Sequence, residues 1–314
     1  MADLDLGAVR AFLAVAEDGY FGEAAARLGI SQQAVSKRIA KLEADLGVRL
    51  FSRSRNGAGL TRDGTAFLHH ARALVGIADQ ALEAVRGRRR SLRLDVLDTR
   101  LWCVDLIRAF HQTAEDVDSE LVTSNGLRTA RGSLARGSVD AAFARVSGTL
   151  DDDIRQVPAY LEPVHVLAGR DHPLARLREV RVERLSGATV WMPGNAPGSE
   201  WAEYYRFLGA AFGIHIDTSG PDFGWEHFVE EIGSGERIGF VGERCRLPWH
   251  PRTVQIPVVE PVPVYPCSML CHRQNRHPAL ARLIRFAESG FRPYDPRCQW
   301  LPEPDRATFA AAPR

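Results

Sequence analysis

The stretch AAARLGISQQAVSKRIAKLEADLGVRLFSRSRNGAGL, Ala24 to Leu60, spells a short helix, a glycine turn, a second helix and a basic hairpin. Gly29 stands where the first helix must end, and only glycine takes the left-handed geometry of that turn without steric cost. Ser31 follows as an N-cap for the second helix. Ala34, Val35, Ile39 and Leu42 then recur on one apolar helical face, while Gln32, Gln33, Ser36, Lys37 and Lys41 occupy the opposite one. Hydrogen-bonding and cationic groups in that pattern suit base edges and phosphates. Gly47 closes the helix, and Val48 to Phe51 reads as a strand paired, across Arg53-Ser54-Arg55-Asn56-Gly57, with a short strand around Leu60. The order of elements is that of a winged helix-turn-helix, with the basic loop as its wing.

The charge distribution agrees. The 314-residue chain has a net charge of only +1 at neutral pH, so any nucleic-acid footprint must be local. It is: Ser31 to Arg55 holds Lys37, Arg38, Lys41, Arg49, Arg53 and Arg55 against only Glu43 and Asp45. The length fits two or three domains, and 45% hydrophobic residues suffice for a sizeable core. The N-terminus MADLDLGAVRAFLAVAEDG has no basic n-region and no cleavage site, and no apolar run reaches membrane-spanning length. A cytoplasmic protein is expected.

The segments AAARLGISQQAVSKRIAKLEADLGVRLFSRS and LTRDGTAFL together resemble the DNA-binding region of the LysR-type transcriptional regulators. The resemblance is dense over roughly the first 70 residues and extends more loosely to about residue 290, where RHPALARLIRFAES is similar to the last helix of the family's effector-binding domain. It implies a sequence-specific regulator that reads a palindromic double-stranded DNA operator as a homodimer or homotetramer and answers to a small-molecule effector. Ser31, Gln32, Gln33, Ser36, Lys37, Arg38, Lys41, Arg53 and Arg55 are the expected DNA-binding residues. Gln33 departs from the proline that the family often carries in the first turn of this helix, which bears on base preference.

After the wing, Thr61 is placed to cap a long helix whose apolar residues Phe67, Leu68, Ala71, Leu74, Val75, Ala78, Leu82 and Val85 return every three or four positions. Such a stripe packs on its own domain or seeks a second helix, and the resemblance favours a dimerising linker. Gly87-Arg88-Arg89-Arg90 reads as a solvated hinge. From Ser91 strands and helices alternate, which predicts a parallel, doubly wound α/β sheet, and the resemblance implies a two-lobed, periplasmic-binding-protein-like effector domain. The expected domains are therefore 1–60 for DNA binding, 61–90 for the linker helix and hinge, 91–292 for the effector, and 293–314 as a weakly ordered, proline- and alanine-rich tail.

Ligands of open sheets collect at the carboxyl ends of strands. Asp98, Thr99 and Arg100, then Thr123, Ser124 and Asn125, then Asn195 and Trp225 are the expected ligand-binding residues, with Asp98 and Arg100 also able to pair with each other. The same polar types serve as ordinary caps and turns. No histidine pair has metal-ligand spacing beside a third ligand, and no nucleophile elbow, P-loop or dinucleotide fingerprint occurs, so neither cofactor nor enzyme activity is expected. Five scattered cysteines argue against a disulfide framework. The rival reading is a small-molecule-binding protein or enzyme on the two-lobed fold with the N-terminus as an oligomerisation arm; it would not need the local surplus of positive charge.

Overall fold

The computed structural model describes residues 4–54, 57–85 and 91–310. Contacts divide the chain into two compact units, one of residues up to 90 with Ala135–Ser138 and one of Ser91–Leu134 with the residues from Val139 on.

The first unit contains α1 (Leu6–Asp18), α2 (Phe21–Leu28), α3 (Gln32–Leu46), a hairpin of β1 (Phe51–Ser54) and β2 (Gly57–Leu60), and α4 (Arg62–Val85). Its core is the apolar stripe of each helix: Val9, Phe12 and Val15 of α1, Ala24 and Ala25 of α2, Val35, Ile39 and Leu42 of α3, and Leu50, Phe51 and Ala71. The Phe12 ring is held between Phe51 and Phe67, each 5.2 Å away between centroids. Gly29 has φ +65° as the turn demands, and the Ser31 hydroxyl accepts the Ala34 N–H at 3.2 Å. Two polar contacts seat the hairpin. Glu43 on α3 accepts the N–H groups of Leu50 and Phe51 at 2.7 and 3.1 Å, and Thr61 accepts the Gly64 N–H while donating its hydroxyl to the Arg49 carbonyl. At Gly64 a Cβ would come within 2.1 Å of the Leu50 carbonyl oxygen, so only glycine lets α4 start this close to the hairpin. Arg55 and the hinge 87–90 lie outside the described residues.

The second unit comprises β3 (Leu92–Val96), α5 (Trp102–Thr113), β4 (Ser119–Thr123), α6 (Leu127–Ala135), β5 (Ala141–Ala144), β6 (Ile154–Gly169), β7 (Val180–Arg181), β8 (Thr189–Trp191), α7 (Glu200–Phe212), β9 (His215–Asp217), α8 (Trp225–Gly233), β10 (Ile238–Gly242), β11 (Thr253–Val259), β12 (Val262–His272), α9 (Leu280–Gly290), β13 (Gln299–Trp300) and α10 (Glu303–Phe309). The sheet order is β4-β3-β5-β12-β6-β10-β8-β9. The expected all-parallel sheet is realised only in part. Each lobe keeps a parallel set, β4-β3-β5 in one and β10-β8-β9 in the other, but β12 pairs antiparallel with both β5 and β6, and β6 antiparallel with β10 and β11. The cause is the crossing itself. The 16-residue β6 pairs with β12 as far as Pro163 and with β10 from Val164, so one strand serves both lobes and its neighbour runs back the opposite way.

The segment expected to be a weakly ordered tail is instead packed as far as Ala310. β13 pairs with the start of β12, and Leu301 and Phe309 are buried with Leu161 and Val264. Its anchor is ionic. The Arg145 guanidinium, 1% exposed, donates from Nε and Nη2 to Asp305 Oδ2 at 3.0 and 2.9 Å, and from Nη1 to Glu203 Oε2 at 2.7 Å and the Glu200 carbonyl at 3.2 Å. One side chain, immediately after β5 of the first lobe, thus ties that lobe to α7 of the second and to α10. Beside it the Glu200 carboxylate accepts the Leu127 N–H at 2.9 Å, a second link from α7 to α6.

Replacing Asp305 by alanine leaves the buried guanidinium with one carboxylate fewer, and unfolding in urea is expected to show a loss of about 3–5 kcal/mol. A change within experimental error would show that α10 is not anchored by this pair. Burial raises the Glu200 carboxyl from 4.5 to about 7, so the folded protein holds a proton there that the unfolded chain has released. Stability from this group is therefore present below about pH 4.5 and declines as pH rises to about 7. Glu200→Gln is expected to flatten that decline in a series of melting temperatures across this pH range.

Candidate functional site

Two sites follow from this fold, one in each unit. In the first, α3 presents its polar face to solvent: Ser31, Gln32, Gln33, Lys37 and Lys41 are exposed, and Ser36 is half-buried. Val35, Ile39 and Leu42, on the inward face, lock the helix against the domain so that the outward row is rigidly displayed. Arg38 is the exception within the expected set. It is half-buried, with its guanidinium carbon 3.7 Å from where a Cβ would sit on Gly7, at the start of α1. Arg53 falls within β1 on the hairpin; Arg55 lies outside the described residues. On α4, Phe67, Leu68, Ala71 and Val75 pack on the domain core, whereas Ile77 and Leu82 remain exposed.

In the second unit a cavity of about 410 Å³ opens between the lobes at the carboxyl ends of β3, β4, β8 and β10. Four of the eight expected ligand residues line it: Asp98, Asn125, Asn195 and Trp225. The other four do not. Thr99 and Arg100 border a separate outer groove with Val104, Ile107 and Leu247. The Ser124 hydroxyl is spent on the buried Asp95, donating to Oδ1 at 2.7 Å, and Thr123 is exposed at the end of β4. The Asp98–Arg100 pairing does form, through the Arg100 N–H at 2.8 Å and Nη1 at 3.8 Å, while Nη2 reaches Glu226 at 2.9 Å. Asp98 also accepts the Trp225 indole N–H at 2.9 Å, a bond from lobe to lobe across the cleft.

The cavity's apolar walls come from residues that strand-end reasoning did not reach. Trp201 and Tyr205 of α7 are stacked, and Tyr205 stacks in turn on Phe240 with centroids 5.6 Å apart and planes 9° from parallel. Trp225 meets Phe228 edge-on, and Met192 and Cys245 complete the lining. A signal was available: Trp201 and Tyr205 stand four apart at the start of a helix directly after Asn195. Asn195 is buried, and its Nδ2 has no hydrogen-bond partner among the described residues. An orphaned donor in a concave aromatic site is a group awaiting an acceptor.

Cys103, Cys245, Cys267 and Cys271 are buried, and burial pushes the Cys103 and Cys245 thiols up to about 12, far from the thiolate form. Among the described residues no group of three or more His, Cys, Asp or Glu is placed to hold a metal, and no helix is long and apolar enough to cross a membrane.

Comparison with known proteins places the chain in a family. The model of the bacterial regulatory helix-turn-helix protein, lysR family, matches residues 6–65, and that of the LysR substrate binding domain matches residues 86–292. A probable hydrogen peroxide-inducible genes activator of Mycobacterium xenopi is 34% identical over 181 residues, covering 56% of this chain and 95% of that protein. The transcriptional regulator ShiR of Corynebacterium glutamicum (strain R) is 35% identical over 171 residues, which span 52% of this chain but only 57% of that protein. Among solved structures, full-length CbnR in complex with its target DNA shares the fold with a TM-score of 0.63 at 23% identity, over 91% of this chain and 99% of that one. With a helix-turn-helix domain and a substrate-binding domain both matched in order, the chain belongs to the LysR family of DNA-binding transcriptional regulators.

Proposed function

We propose that this regulator reads its operator through α3 and that a small molecule in the interlobe cleft sets the response. The observation that carries the first half is the rigid, N-capped α3 with Gln32, Gln33, Lys37 and Lys41 exposed in a row, immediately after the Gly29 turn. Ser31, Gln32, Gln33, Ser36 and Lys37 are assigned to the major groove. Lys41, Arg53 and Arg55 are assigned to phosphate or the adjoining minor groove, and Arg38 to phosphate at the flank. The exposed Ile77 and Leu82 of α4 support a seam with a second copy, which brings two recognition helices to successive half-sites of a palindrome. Further contacts between effector domains would make a tetramer. A cytoplasmic location and the absence of catalysis belong to the same reading.

The second half rests on the cleft's form: a concave site of drug-sized volume, aromatic walls and one unsatisfied buried amide. The chain crosses between the lobes twice, within β6 and in the turn from β11 to β12, so a ligand that favours one lobe arrangement shifts its population. The raised thiols of Cys103 and Cys245 favour a bound effector over oxidation of a buried cysteine, although one relative is named for peroxide.

Gln33→Ala is expected to change base preference at one position in each half-site, by about 1–3 kcal/mol. Selection from a randomised DNA library reads this directly, and an unchanged motif would remove Gln33 from the major groove. Asn195→Trp, which fills the cleft, is expected to abolish the effector response while operator affinity stays near that of the parent. A full response in that variant would place the effector elsewhere.

A further inference from the structure

We infer that the effector is a flat or aromatic molecule bearing a positive charge and a hydrogen-bond acceptor, an arylalkyl amine that also carries a hydroxyl or carbonyl oxygen being the simplest such class; this rests on the reading of the interlobe cleft as the effector site. The charged side chains that line the cleft are two carboxylates, Asp98 and Asp222, and no lysine, arginine or histidine joins them. Arg100 reaches Asp98 through Nη1 at 3.8 Å but gives its closer bond, from Nη2 at 2.9 Å, to Glu226 and borders a different groove. Asp222 accepts the Gly224 N–H through Oδ1 at 3.1 Å and forms no ion pair among the described residues. Its other oxygen, Oδ2, lies 3.0 Å from where a side chain would begin on Gly194, so glycine there lets the carboxylate approach the cleft wall closely.

An anionic ligand would meet Asp222, which forms no ion pair among the described residues, and Asp98, whose charge is answered only by Arg100 at 3.8 Å from outside the cleft lining. A cation gains from both carboxylates and from the Trp225 ring in the cleft wall. The acceptor is matched to Asn195, which lines the same cleft. Its buried Nδ2 has no partner, and a donor stripped of water costs free energy until an acceptor arrives.

The test uses the full chain and three probes of one shape that share a phenol oxygen as acceptor: tyramine, the neutral 4-hydroxyphenylethanol and the carboxylate 3-(4-hydroxyphenyl)propionate, each titrated calorimetrically and by melting temperature. Tyramine is expected to bind about ten-fold or more tightly than the carboxylate. Asp222→Asn, an exposed and isosteric change, is expected to erase most of that ratio while leaving binding of the neutral alcohol unaltered. Asn195→Trp is expected to remove binding of all three. The carboxylate binding as tightly as the amine, and lost in Asn195→Trp, would overturn the charge inference and leave the cleft as the effector site. If no probe binds, or if binding survives the filled cleft, the effector-site reading itself falls and the inference with it.

Discussion

A guanidinium cut off from water must have its charge answered where it stands, and Arg145 imposes that condition on the whole effector-binding unit. Removing such an ion from solvent costs several kcal/mol, which only close, well-oriented acceptors offset. The acceptors come from α7, at Glu203 and the Glu200 carbonyl, and from α10, at Asp305. The end of β5, α7 and α10 are therefore held in one arrangement in the folded unit. α10, the last helix among the described residues, is in this sense a structural part of the core and not an appendage. The Glu200 carboxylate, accepting from the N-terminus of α6, adds a second constraint on the same lobe contact.

These clasps lie beside the cleft by sequence as well as in space. Glu200 and Trp201 are adjacent on α7; one holds the opposite lobe and the other lines the cavity. Trp225 lines the cavity while its indole N–H reaches across to Asp98. On the proposed reading, a ligand that moves either ring acts directly on a bond between lobes, without a long chain of intermediates. Coupling of this kind is bounded by the ligand's differential affinity for the two arrangements, typically about 1–3 kcal/mol.

The DNA-binding unit solves a different problem with shorter-range means. A recognition helix must be immobile to read base edges, and α3 is held on three sides: by its apolar face, by the Gly29 turn, and by Glu43 gripping the hairpin through two backbone amides. Its positive charge is concentrated between Ser31 and Arg55 in a chain that is nearly neutral overall. Affinity carried by phosphate contacts of that kind falls with salt, whereas the base contacts set which sequence is bound.

Much of this is local and so is written in the sequence. The caps at Ser31, Gly29 and Gly47, the apolar stripes of α1 to α4, the strand-end positions of Asp98, Asn125 and Asn195, and the helix-start position of Trp225 depend on neighbours a few residues away. Side chains at the same strand ends, Thr99, Arg100, Thr123 and Ser124, could not be sorted from these, because the direction in which a loop residue points is decided by what packs behind it. Aromatic walls such as Tyr205 and Phe240 read as ordinary core until α7 and β10 are brought together. The length of β6 and the packing of residues 293–310 were hidden for the same reason. A strand that changes partners at Pro163 has no local signal for the change, and Asp305 gains its meaning only from a guanidinium 160 residues away. What the sequence determined by itself was the set of elements and the chemistry of the DNA-reading face, since both follow from short-range periodicity and capping. What only the tertiary structure decided was which distant charges are buried together and which side chains share the cleft, because burial is a property of the assembled lobes and not of any segment.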